Sequence, residues 1–98
     1  MFVLQLYTDS YTPIQGERTI NSTNVPRPGD VIFVKDSAYQ SNVVFDVTHY
    51  IDGDRMKTVV RAREGSRQDR FYVLAENGYL DTQDEIRHGE LDSDSDLP

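Results

Sequence analysis

In NVVFDVTHYI, residues 42–51, side chains alternate: Val43, Phe45, Val47, His49 and Ile51 fall on one side, Val44, Asp46, Thr48 and Tyr50 on the other. MKTVVRAR, residues 56–63, repeats the pattern, with Met56, Thr58, Val60 and Ala62 set against Lys57, Val59, Arg61 and Arg63. A period of two predicts strands of an antiparallel sheet with one face buried. Asp52-Gly53-Asp54-Arg55 between them predicts a hairpin, because Gly53 accepts the positive φ of a tight turn. With those four residues as the loop, Ile51 lies opposite Met56, Tyr50 opposite Lys57, His49 opposite Thr58, Val47 opposite Val60, Asp46 opposite Arg61 and Phe45 opposite Ala62.

RFYVLA, residues 70–75, also alternates and predicts a second hairpin, with residues 64–69 as its loop. Ala62 then faces Phe71, Arg61 faces Tyr72 and Val60 faces Val73. A one-residue slip would turn a whole face over, so the agreement of both registers favours them. The predicted core is Phe45, Val47, Val60, Phe71 and Val73. On the outer side Arg61 is expected between Asp46 and Tyr72, and Lys57 between Tyr50 and Glu76.

The rest of the chain continues the β pattern. FVLQLY (2–7) predicts a first strand, GERTINS (16–22) a polar edge strand and DVIFVK (30–35) a buried one. Pro28-Gly29 suits the centre of a type II turn, and Asn77-Gly78 predicts a tight turn into a short last strand at Tyr79-Leu80. Thr82-Gln83-Asp84-Glu85 has capping-box spacing for one helical turn that Gly89 closes. GELDSDSDLP has two isolated leucines, too little apolar surface to offset its ordering entropy, and is expected to be disordered. The expected architecture is all-β: a small antiparallel meander or SH3-like β-barrel over residues 1–81, then a short helical turn and a disordered acidic tail over 82–98.

Charge sharpens this picture. The chain's formal net charge is −7, yet residues 55–70 hold six of its ten basic side chains. By segment the net charge is −4 over residues 1–54, +4 over 55–70 and −7 over 71–98. Charge runs are usually solvated faces, so the plain reading makes the basic strand the outer side of the sheet. That side also carries aromatic and aliphatic residues of the kind enriched at interface centres. Tyr50, Lys57, Val59, Arg61, Arg63, Tyr72 and Leu74 are therefore the candidate binding residues.

The turn in PRPGDVI, the long strand FDVTHYI and the following VVRA resemble short single-domain proteins of phages and bacteria. In those a Pro-x-x-Gly-Asp turn opens a small SH3-like β-barrel. The resemblance covers residues 25–75 and implies a fold class and a phage origin. It brings no site residues with it.

Chemistry is sparse. The chain has no cysteine, which suits a reducing compartment, and it contains no nucleophile elbow, zinc-protease helix or phosphate-cradling glycine loop. His49 is expected at the core edge, satisfied by Thr58. Asp52-Gly53-Asp54 lacks EF-hand spacing. No catalytic residue, metal or cofactor is expected. The amino-terminal residues show no signal-peptide pattern and VIFV is the longest apolar run, so a cytoplasmic protein away from membranes is expected.

Three function classes remain. The leading one is a non-enzymatic protein-binding module, as a monomer or homodimer. One instance is a small phage-encoded modulator or inhibitor of a host factor, acting in the host cytoplasm through surface or DNA mimicry. The second is a nucleic-acid-binding sheet that uses Arg61, Arg63, Arg67 and Arg70, disfavoured by a pI of about 4.6. The third is an enzyme or ligand-sequestering barrel whose pocket the sequence does not reveal, disfavoured because no convergent polar set is present.

Overall fold

Five alternating segments fold into one curled half-barrel sheet. The structure, a computed structural model, describes residues 1–14 and 16–80. The elements are β1 (Phe2–Tyr7), β2 (Arg18–Ile20), β3 (Val31–Phe33), β4 (Ser41–Asp52), β5 (Arg55–Glu64), a 3-10 turn (Arg67–Asp69) and α1 (Arg70–Glu76). Strand order across the sheet is β2-β1-β5-β4-β3. The expected helical turn and tail at 82–98 lie outside the described residues.

The first hairpin follows the expected register from Asp46↔Arg61 through Ile51↔Met56, and adds Asp52↔Arg55, so the turn is two residues long. Gly53 sits at φ 64. One pair is corrected. Ala62 lies opposite Val44, not Phe45, because the ladder shifts between Val44 and Asp46 and leaves Phe45 as the extra residue of a bulge. That residue reverses the alternation: Val44, expected outside, joins Val60 and Ala62, while Phe45 turns to the opposite face.

The antiparallel meander is also corrected. β1 pairs with β5 in parallel, from Val3↔Val59 to Tyr7↔Arg63, and occupies the edge that the second hairpin was expected to take. The remaining pairs are antiparallel, so the sheet is mixed. RFYVLA is helical. Asp69 accepts the Ser66 N–H at 2.7 Å and so fixes the turn into the helix. At the other end Gly78 N–H donates to Ala75 O at 3.2 Å and Tyr79 N–H to Leu74 O at 2.9 Å. With Gly78 at φ 84 this is a Schellman ending, not a hairpin turn, and Tyr79-Leu80 is not a strand.

DVIFVK, expected as a buried strand over 30–35, is strand only at Val31–Phe33, at the sheet edge, with Phe33 77% exposed. The type II turn holds: Asp30 N–H donates to Arg27 O at 3.0 Å with Gly29 at φ 93. Two cores result. The concave one contains Phe2, Leu4, Leu6, Val34, Val44, Val60 and Ala62, with Val47 half-buried beside them. On the other face Val43, Phe45 and Val73 form a second core, closed by Tyr7, Tyr11 and Val31. Phe71, expected in the core, is 43% exposed.

Candidate interaction surface

α1 changes the meaning of the face that carries the candidate residues. It packs Val73 onto Val43 and Phe45, and Phe45 meets Tyr7 and Tyr11 edge-on at centroid distances of 5.2 and 5.1 Å. Val59 and Arg63, expected on a solvated surface, are buried. Leu74 is half-buried, its methyls set against Gly29. Tyr50, Lys57 and Tyr72 are exposed, but Tyr72 belongs to α1 and is not a cross-strand neighbour of Arg61. The seven residues therefore do not form one continuous outer face.

Arg61 is half-buried and held from several directions. Its Nη1 donates to Asp46 Oδ2 at 2.7 Å, as the register predicts, and its Nε donates to Gln5 Oε1 at 3.0 Å from the parallel neighbour β1. Nη2 reaches the Tyr50 hydroxyl at 3.4 Å. The Tyr50 hydroxyl and the Asp46 carboxylate push the guanidinium pKa up against the opposing effect of burial, so the group is a fixed cation in a closed network.

Arg63 is more enclosed. Its Nη1 donates to Glu64 O at 2.7 Å, its Nη2 lies 3.7 Å from Glu76 Oε1, and its guanidinium sits 5.5 Å from the Tyr11 ring centroid. Its Nε is buried without a partner. Glu76, expected beside Lys57, instead accepts the Tyr11 hydroxyl at 2.6 Å. Asn77 Nδ2 donates to the same hydroxyl at 3.0 Å. Tyr11 is the one non-glycine residue with positive φ among those described, at 65°. Burial, and then the hydrogen bond to Glu76, raises its pKa. These contacts fasten the loop after β1 to α1 and leave neither Arg61 nor Arg63 available to a phosphate.

The exposed apolar residues lie elsewhere. β1 covers β5 only between Val59 and Arg63, and β3 covers β4 only between Ser41 and Val43. The pairs His49↔Thr58, Tyr50↔Lys57, Ile51↔Met56 and Asp52↔Arg55 thus form a two-stranded arm without a third strand among the described residues. His49 Nδ1 meets Thr58 Oγ1 at 2.8 Å as expected, although His49 is exposed rather than at a core edge. Ile51 and Met56, expected to face inward, do keep the core side of the strands. They lie beyond the end of the core, 74% and 63% exposed. The sequence signal for this was length, since β4 and β5 have 12 and 10 residues while β1 has six.

Among the described residues no group of three or more histidine, aspartate or glutamate side chains gathers to hold a metal ion, and no helix is long and apolar enough to cross a membrane. Comparisons with protein-family models, curated proteins and solved structures give no match to the chain.

Proposed function

We propose that the protein is a non-enzymatic protein-binding module whose docking element is the distal end of the β4–β5 hairpin. One observation carries the reading: Ile51 and Met56 form an exposed apolar cross-strand pair on a projecting arm, with Tyr50 and Lys57 on its reverse side. An isolated two-stranded ribbon is marginal in water, and large apolar side chains on it gain most when a partner covers them. A partner would find an aliphatic pair on one side and an aromatic ring with a cation on the other, ringed by Asp52, Asp54 and Arg55.

The nucleic-acid reading loses its central residues, because Arg61 and Arg63 are engaged within the fold. DNA mimicry by the sheet is equally weakened. Residues 81–98 carry seven of the 17 acidic side chains and one of the ten basic ones, which leaves the rest of the chain at −1. A phage-encoded modulator working in a host cytoplasm is one setting for the module, and it rests on the resemblance of residues 25–75 alone.

The test is photo-crosslinking from position 56 in the producing organism. A discrete adduct is expected, lost on Ile51→Asp and absent when the crosslinker stands at the exposed Thr19 of β2. Equal adducts from both positions, or an adduct that survives Ile51→Asp, would remove the arm from the binding surface. An adduct of twice the chain mass would assign the arm to a homodimer.

A further inference from the structure

The open side of β3 offers a second surface, independent of the hairpin arm. Val34 N–H donates to Gln40 O at 2.8 Å, and Val44 N–H donates to Asp30 O at 2.9 Å. In an antiparallel ladder the inward-bonding residues alternate, so Asp30, Ile32 and Val34 face β4 while the N–H and C=O groups of Val31 and Phe33 point away from it. β3 is the sheet edge, and no hydrogen bond among the described residues uses those outward groups. The usual protections of an edge are missing, since VIF contains no charge and no proline.

Along this edge run two adjoining hollows of about 310 and 320 Å³, which share Pro26 and Ile32. The first has a floor of Phe2, Leu4, Ile20 and Val34, apolar side chains from β1, β2 and the residue that follows β3. Its far wall is β2, close enough for Arg18 to meet Asp36 at 2.6 Å across the gap. An added strand needs about 9.6 Å between the strands that flank it, twice the usual spacing, a distance an arginine and an aspartate side chain can bridge.

We infer that this trough binds an extended peptide segment of a partner protein as an added strand, antiparallel to β3. Its backbone pairs with Val31 and Phe33, and its alternate side chains, small and apolar, rest on the floor. Charge then selects the sequence of the segment. Lys35 lies past the end of β3 and Asp30 before its start, both exposed, so the antiparallel segment brings its amino end to the lysine and its carboxyl end to the aspartate. The favoured segment carries an acidic residue at its amino end and a basic residue at its carboxyl end.

The probe is a short synthetic peptide of alternating valine and threonine, with glutamate first and lysine last, read by amide exchange on the full chain. The peptide should slow exchange at Val31 and Phe33 by about tenfold or more and leave Tyr50–Lys57 of the arm unchanged. The same peptide with a central proline should protect neither. Phe33→Pro removes one outward donor, a change an edge strand tolerates, and should abolish the protection. Should that variant fail to fold, Lys35→Glu serves instead and should shift preference to a peptide beginning with lysine. Protection that appears without peptide and grows with protein concentration would mean that a second copy occupies the edge. Protection by the proline peptide, protection of other strands only, or none at millimolar peptide would also overturn the inference.

Discussion

Phe45 and Phe71 look alike in the sequence, each an inward aromatic on an expected strand, and the structure separates them by several kcal/mol. Phe45 is 9% exposed and wedged between Tyr7, Tyr11, Val43 and Val73. Truncation to alanine in such a site costs about 3–5 kcal/mol, and the two edge-on ring contacts place it in the upper half of that range. Phe71 is 43% exposed. Full burial of a phenylalanine contributes about 1.5–3 kcal/mol, so roughly half of that, about 1 kcal/mol, is at stake in Phe71→Ala. Urea unfolding followed by tyrosine emission is suitable, since the chain has six tyrosines and no tryptophan. A small domain near the low end of the usual 5–15 kcal/mol leaves Phe45→Ala at the edge of unfolding, so Phe45→Leu supplies an intermediate point. The slope against urea should stay constant while the midpoint falls. Equal losses from Phe45→Ala and Phe71→Ala would refute the helix assignment and restore a strand that carries Phe71 opposite Ala62.

Two further outcomes follow from turns and caps. Gly78→Ala meets no atom within 4 Å but forces an alanine to φ 84, and should cost about 1–2 kcal/mol by thermal melting; Gly29→Ala should cost more, because its Cβ would also stand 3.3 Å from Leu74 Cδ1. The Ser66 backbone N–H holds the Asp69 carboxyl below its usual 3.8, so its contribution is complete above that value and is lost as pH falls through the folded one. Asp69→Asn should therefore flatten the decline of the urea midpoint below about pH 4, and an unchanged decline would assign the acid sensitivity to other carboxylates.

What the sequence made legible was local. The hairpin at Gly53, its register from Asp46 to Met56, the Arg61–Asp46 ion pair and the turn at Gly29 all follow from alternation and turn chemistry, which act between near neighbours. The misreadings have three physical sources. Alternation does not name a strand's partner, and the edge of β5 went to β1, more than fifty positions away, in parallel pairing. A bulge adds one residue without disturbing an apolar run, and in VVF nothing marks where the phase changes. RFYVLA, finally, fits either period, because Arg70, Val73, Leu74 and Asn77 line one side of a helix as readily as Phe71 and Val73 line one side of a strand. Its ends held the deciding signals. Ser66 and Asp69 have capping-box spacing, and Gly78 follows the last helical turn.

The candidate surfaces follow from the same correction. Once β1 and β4 flank β5 and α1 covers the adjoining part of β4, the middle of the basic strand is enclosed, and Arg61 and Arg63 satisfy neighbours instead of facing water. Unused binding capacity then collects where strand lengths fail to match. β4 and β5 outrun β1 and β3 at one end and project Ile51 and Met56 beyond the core. β3 and β2, three residues each, end the sheet without closing it, and leave outward amides above an apolar floor. Both features carry a cost for an isolated domain: exposed aliphatic side chains in one case, an unguarded edge in the other. A sheet could avoid both with a shorter hairpin and a lysine in β3. Their joint presence in so small a domain is why the proposed docking surfaces are the hairpin end and the β3 edge rather than the charged face.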